Sequence, residues 1–235
     1  MDDTPPAHDL FVFLASTAHD MKNSISVVSG TLERLLDDEG APVRDSAAYP
    51  QMAQMLYQTR RLNDNLMQLL ALYKEVGTPA YPLDIALVDV AQLGEQVADS
   101  NRVLLAARAI ALDIDIAPGL CWHLDEDLVI GVVNHAINNA TRYTRDRIRL
   151  SMVEEAGVLV IRVEDNGDGF TPALLAAGAA AGRGRAVDFR ANSAGLGLYF
   201  ASEVAKMHTH RGACGTVRLE NGGPLGGGGF VMRLP

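Results

Sequence analysis

Cysteine is almost missing from this sequence: Cys121 and Cys214 are the only two, far apart and without CxxC spacing. That pattern suggests neither a disulfide framework nor a zinc site, and both thiols are expected to be small buried apolar residues. Positive charge is short too, with 20 Lys and Arg against 29 Asp and Glu and a net charge of −9. This balance argues against a nucleic-acid partner, because phosphate binding needs a surplus of cationic side chains. No apolar run approaches the roughly 20 residues of a spanning helix, so no membrane contact is expected. The lead MDDTPPAHDL is acidic where a signal peptide would be basic, and a soluble, cytoplasmic protein is expected. Internal repeats are absent as well. What is present is 48% hydrophobic residues and 21% charged, enough for a packed core and against general disorder.

The chain falls into two halves of different character. After a short lead at 1–9, apolar residues recur at Phe11, Leu14, Ala18, Met21, Ile25, Val28, Leu32 and Leu35. The steps alternate three and four, a heptad seam. Gly40, Pro42 and Pro50 interrupt it, and a second seam runs through Met52, Met55, Thr59, Leu62, Leu66, Leu69, Tyr73 and Val76. Residues 10–76 are therefore expected to form an antiparallel helical hairpin. A second copy would cover its remaining apolar stripe, making a homodimeric four-helix bundle; packing against the chain's own C-terminal half is the other way to cover it. The segment 77–82, GTPAYP, reads as a linker.

From 83 to 235 the pattern is mixed α/β. Strands are expected near 82–88, 111–117 and 120–125, with helices near 90–107 and 126–143. RIRLSMVEE and VLVIRVEDN form a hairpin whose turn is Ala156-Gly157. A glycine- and alanine-rich stretch, 171–194, lacks strong periodicity and reads as a mobile loop. A helix at about 196–208 and two final strands flanking GGPLGGGG end the chain.

Three short motifs follow in order: NNATRYT (138–144) closing a helix, EDNGDGF (164–170) after a strand, and SAGLGLYF (193–200) entering a helix. Each alone is weak. Together they make chemical sense as a nucleotide site. Asp165 at a strand end can accept from an exocyclic amine such as that of adenine. Gly167 and Gly169 let backbone approach a ligand where a Cβ would clash. Gly195 and Gly197 can present amides to phosphate at a helix start. The carbonyl oxygen of Asn139 suits Mg²⁺, and Arg142, three residues on, shares its helix face.

Before them stands STAHDMKNS (16–24) on the first seam helix. Ala18 and Met21 lie on the seam, so His19, Asp20 and Asn23 point away from it, and His19 and Asn23 stack on one face. The heptad hairpin with HDMKN, then NNATRYT, DNGDGF and GLGL in that order, resembles the catalytic core of a two-component sensor histidine kinase over nearly the whole chain.

That resemblance implies a multi-domain α + α/β protein. Its dimerisation and histidine-phosphotransfer hairpin precedes a Bergerat-type ATP-binding domain, an α/β sandwich with a mixed sheet and helices on one face. It implies autophosphorylation of His19 from Mg-ATP, transfer to an aspartate of a response regulator, and a possible phosphatase role in which Asn23 orients water. Asp20 would hold the imidazole. Asp165 would take the adenine amine, with Gly167 and Gly169 shaping that floor. Asn139 would hold Mg²⁺, with Arg142 and Tyr143 near the phosphates and nucleoside. Gly195 and Gly197 would bracket the end of an ATP lid at about 171–194. With only the nine-residue lead before the hairpin, input is expected from a separate sensory partner.

The family usually carries a second asparagine four residues before the magnesium-binding one, and here that position is His135. His135 could contact a phosphate, pack under the nucleotide, or mark a weakened site. Asn134 and Asn138 show the same spacing, about 100° around the helix. A degenerate site would make the chain a non-catalytic phosphotransfer or scaffold protein, the alternative reading. Asp20 stands where glutamate is usual and Ser24 where proline is, which bears on how the helix bends. Among the other histidines, His208 and His210 near a helix end read as surface residues, and His123 as a structural strand residue.

Overall fold

The computed structural model describes residues 21, 24, 25, 27–36, 48, 49, 51–59, 62, 83–181 and 194–235. The chain divides into two compact units, Met1–Pro82 and Leu83–Pro235.

In the first unit, residues 27–36 (α1) and 51–59 (α2) are helical. Leu32, Leu36, Ala53 and Leu56 are buried, Leu56 completely. Met21, Val28, Leu35, Met55 and Leu62 of the predicted seams stay exposed, each by about half of its surface or slightly more. Apolar contact within the described helices is thus made one position beside part of the seam. The lead 1–9 and the linker 77–82 lie outside the described residues.

The second unit runs β1 (Ala86–Asp89), α3 (Val90–Ala107), β2 (Ala111–Ile116), β3 (Cys121–Leu124), α4 (Glu126–Tyr143), β4 (Arg147–Glu155), β5 (Val158–Asp165), α5 (Pro172–Ala181), α6 (Ala194–Met207), β6 (Thr209–His210), β7 (Ala213–Cys214), β8 (Thr216–Asn221) and β9 (Gly228–Leu234). A mixed five-stranded sheet has the order β2-β4-β5-β9-β8. Only β2 and β4 are parallel; the other neighbours are antiparallel. The β4–β5 hairpin turns at Ala156 and Gly157, both with positive φ (53° and 77°), as a two-residue primed turn requires. Short ribbons β1–β3 and β6–β7 flank the sheet.

Alternation sorts the two faces. Ile148, Leu150 and Met152 of β4, Leu159, Ile161 and Val163 of β5, and Met232 and Leu234 of β9 are buried on one face. Helix α3 contacts β2, α4 contacts β4 and β5, and α6 contacts β8 and β9, presenting buried Val90, Leu93 and Val97, then Val129, Val133 and Ile137, then Val204 and Ala205. The opposite face carries ion pairs across strands: Arg149 with Asp115 and Glu164, and Glu155 with Arg162 and Arg233.

Both long helices start at an aspartate cap. Asp89 accepts from the amides of Ala91 (2.9 Å) and Gln92 (3.3 Å). Asp125 accepts from Leu128 (3.0 Å) and, through its other oxygen, from Asp84 (3.1 Å).

Three expectations are corrected. Cys121 and Cys214 are exposed, because each lies in a short ribbon flanking the main sheet. His208 is buried at 3% exposure. Its Nδ1 donates to Val204 O (2.7 Å), and its Nε2 accepts from the Asp125 amide (3.0 Å), joining the end of α6 to the cap of α4. The loop expected from 171 begins instead as α5: Pro172 sits at the first helical position, and the Thr171 carbonyl accepts from Leu174 and Leu175. Its Ala and Leu content favours helix without needing an amphipathic period. Residues 182–193 of that stretch lie outside the described residues.

Candidate functional site

Helix α4 is the spine of the site. Its buried side, Leu128, Val129, Val132, Val133, Ala136, Ile137 and Ala140, faces the core. His135 and Asn139 sit one turn apart and half-buried, and Arg142 and Tyr143 follow, exposed, in the last turn. Arg142 makes no ion pair among the described residues, and Tyr143 is 65% exposed.

The competing asparagine register has a different neighbour. Asn134 Oδ1 accepts from Asn101 Nδ2 at 2.7 Å, and Asn101 is fully buried on α3, its Nδ2 also donating to Val97 O at 2.7 Å. Asn134 therefore takes part in the α3–α4 contact, while the His135/Asn139 line stays half-buried beside it. There, Asn139 Nδ2 meets His135 Nε2 at 2.9 Å. Neither a bond to Asn139 Oδ1 nor its burial is found among the described residues, so that oxygen can face a ligand.

Gly197, in the first turn of α6, lies against the His135 ring so closely that a Cβ would collide with Nε2, Cε1 and Cδ2. Gly195 is in the same first turn. The first four amides of a helix have no partner within it and point outward as donors.

The second wall forms where β5 ends. Asp165 is buried at 6% exposure, and its Oδ1 accepts from the amides of Gly167 (2.7 Å) and Gly228 (3.2 Å). Both internal bonds fall on one oxygen, which leaves Oδ2 as an acceptor for a ligand. The Asp165 carbonyl also accepts from Gly227 N (3.1 Å). A side chain at Gly167 would meet the Tyr143 carbonyl, and one at Gly227 would meet Asp165 itself. The DNGDG turn is thus clamped between the end of α4 and the start of β9 by backbone. At Gly169 the φ of +78° suits glycine, and a Cβ would press on Asn221. Asn221 bonds both the amide and the carbonyl of Phe170 (2.7 and 2.8 Å).

Several of these residues carry no motif signal that singles them out. Asn166 Oδ1 accepts from Thr144 Oγ1 (2.8 Å) and from the amides of Arg145, Asp146 and Arg147 (3.1–3.2 Å). It fixes the α4–β4 loop to the turn. Its place inside EDNGDGF was the only hint. Gly227 and Gly228 were legible only as part of a glycine run, yet they close the back of the Asp165 corner.

Glu164, next in chain to Asp165, faces the opposite side of the sheet. Burial pushes its carboxyl up, and Arg149, 3.6 Å away, pulls the other way. The structure therefore brings His135, Asn139, Arg142 and Tyr143 onto one helix, with Gly197 against His135 and Gly167 against Tyr143. His19, Asp20 and Asn23 lie outside the described residues. No cluster of three or more His, Cys, Asp or Glu able to hold a metal occurs among the described residues, so a cation here would depend on neutral oxygen and ligand phosphates.

Residues 124–235 match the model of the histidine kinase-, DNA gyrase B- and HSP90-like ATPase family. The chain is 29% identical over 240 residues to the signal transduction histidine-protein kinase AfsQ2 of Streptomyces coelicolor, covering 95% of this chain and 41% of that one. It is 30% identical over 166 residues to the phosphate regulon sensor protein PhoR of Pseudomonas aeruginosa, covering 69% and 37%. Among solved structures, full-length ShkA in complex with AMPPNP aligns with a TM-score of 0.58 at 22% identity, covering 94% of this chain and 45% of that one. The histidine kinase AdeS of Acinetobacter baumannii aligns at 0.56 and 17%, covering 92% and 96%. These structures share the fold. The chain spans about two fifths of the length of the curated relatives it matches.

Proposed function

We propose, taking as premise that residues 124–235 belong to the histidine kinase-, DNA gyrase B- and HSP90-like ATPase family, that the chain is the catalytic part of a sensor histidine kinase. In this reading residues 83–235 bind ATP and residues 10–76 form the dimerising hairpin that carries His19. The observation that supports it most is the Asp165 corner: a buried carboxylate whose Oδ1 is consumed by Gly167 and Gly228, leaving Oδ2 for an exocyclic amine.

Around it the chain's residues divide the work. Oδ1 of Asn139 would hold Mg²⁺, which when bound supplies charge neutralisation for the phosphates. Arg142, exposed beside it, would meet phosphate oxygens, and Tyr143 would flank the nucleoside. Gly195 and the outward amides of the α6 start suit phosphate. A neutral imidazole nitrogen of His19 would attack the γ-phosphorus, forming an N–P bond as the bond to the ADP oxygen breaks; Asp20 would hold the imidazole tautomer and stabilise the cation that forms. The phosphoryl group then passes to an aspartate of a response regulator, and Asn23 would orient water for the reverse hydrolysis.

Dimerisation is supported by the exposed Met21, Val28, Leu35, Met55 and Leu62, an apolar stripe that a second copy would bury. The alternative, a scaffold with a decayed nucleotide site, is disfavoured because the oxygens of Asn139 and Asp165 both remain available.

The test is incubation of the full chain with γ-labelled Mg-ATP. Acid-labile label is expected on the protein and should vanish in His19→Gln. Absence of label together with absence of ATP binding would establish the scaffold instead.

A further inference from the structure

The contact between His135 and Asn139 has a direction. With the amide oriented as it stands, Asn139 Nδ2 donates and His135 Nε2, 2.9 Å away, accepts, which puts the ring proton on Nδ1. The consequence falls on the other end of the amide. The χ2 torsion of asparagine is broad and roughly two-fold, and an untethered amide presents its NH2 as readily as its oxygen. An NH2 group facing a cation is repulsive; an oxygen is a ligand. Tethering Nδ2 to the imidazole removes the wrong orientation.

Gly197 completes the arrangement. A methyl group there would collide with three atoms of the imidazole and force it to swing away from Asn139. The first turn of α6 can rest on the ring only as bare backbone.

We propose that His135 is a positioning residue that holds the Asn139 carboxamide with its oxygen toward a divalent cation, and that Gly197 is glycine in order to seat that imidazole. This rests on the reading of the site as one for a magnesium–nucleotide complex. It assigns His135 a task that neither phosphate contact nor decay of the site requires: it keeps the oxygen of Asn139 in place without itself touching the ligand. If the amide were turned over, Nε2–H would donate to Oδ1 and the oxygen would be consumed, so the two arrangements differ in what they predict.

The experiment is calorimetric titration of the full chain with ATP, once with Mg²⁺ and once with a chelator. In His135→Leu, which cannot accept, the gain in affinity from Mg²⁺ should fall by roughly 10- to 100-fold, the usual cost of losing a residue that orients a metal ligand. Affinity under chelation should stay at the wild-type level, a readout that general loss of packing would not spare. His135→Asn, which retains an acceptor, should keep the Mg²⁺ gain. The proposal is overturned if His135→Leu retains the full gain, or if His135→Asn loses as much as His135→Leu. A wild-type chain that binds no ATP under either condition overturns the nucleotide reading and this proposal with it. If His135→Leu does not fold, Gly197→Ala decides: it should lose the gain beside His135 but not in the His135→Asn background. Equal loss in both backgrounds overturns the proposal.

Discussion

Two lines of polar residues run along α4, one residue out of step with each other. Asn134 on the first line is bonded to buried Asn101 of α3, and the pair ties two helices together. His135 and Asn139 on the second line bond each other and leave an oxygen outward. The residue types are nearly the same and the spacing is identical. What differs is the neighbour: Asn101 of α3 bonds the first line, and the start of α6, thinned to glycine, lies against the second. Polar residues on a helix become structure where a partner buries them and a site where it does not.

The largest effect should come from breaking the first line. Asn101→Ala removes a fully buried donor and leaves a hole and an unmet acceptor on Asn134. Stability in urea unfolding should drop by about 3 kcal/mol, while the folded protein keeps its ATP affinity. A loss of affinity at unchanged stability would erase the distinction between the lines. Next in size is Asp165→Asn. The variant keeps Oδ1 for Gly167 and Gly228 but replaces the ligand-facing oxygen by a donor. ATP affinity by titration should fall about tenfold or more, with the melting temperature nearly unchanged.

The smallest effects belong to the outer face, where neither line is touched. Glu155 is held below the usual carboxylate range, first by its bond to Arg162, against a smaller opposing effect of burial, and further by Arg233. Its contribution is present above the ordinary glutamate pKa and is lost as pH falls through its lowered value. Glu164 runs the opposite way: burial raises its pKa, so its contribution is present at low pH and is lost as pH rises through that raised value. Unfolding measured from acid to neutral pH should therefore show Glu155→Gln flattening the acid limb and Glu164→Gln removing the loss on the other limb. ATP affinity should stay constant in both.

Much of the fold could be read from local pattern. The α3 and α4 helices follow from apolar pattern, and the β4–β5 hairpin from alternation around Ala156-Gly157. Asn139, Asp165 and the glycines could be named as candidates because their spacing is short-range. His208, Asn166 and Asn221 could not. Each acts on atoms brought close only by the fold: His208 on an amide 83 positions away, Asn166 on a loop 19 to 22 positions away, Asn221 on Phe170, 51 positions away. Helix α5 was missed for another reason: a run of alanine and leucine is helical by propensity alone and gives no periodic signal.

By itself, then, the sequence determined which residues share a helix face or a strand end, since 3.6- and 2-residue periods depend only on the chain. It also set the order of the motifs, and with it the family resemblance. Tertiary structure decided which neighbour each polar line of α4 meets, which oxygen of Asp165 is spent, and why Gly197 must lack a side chain. Those outcomes depend on which groups lose water to which partners. Burial and directional hydrogen bonding are properties of neighbours in space, and no spacing along the chain specifies them.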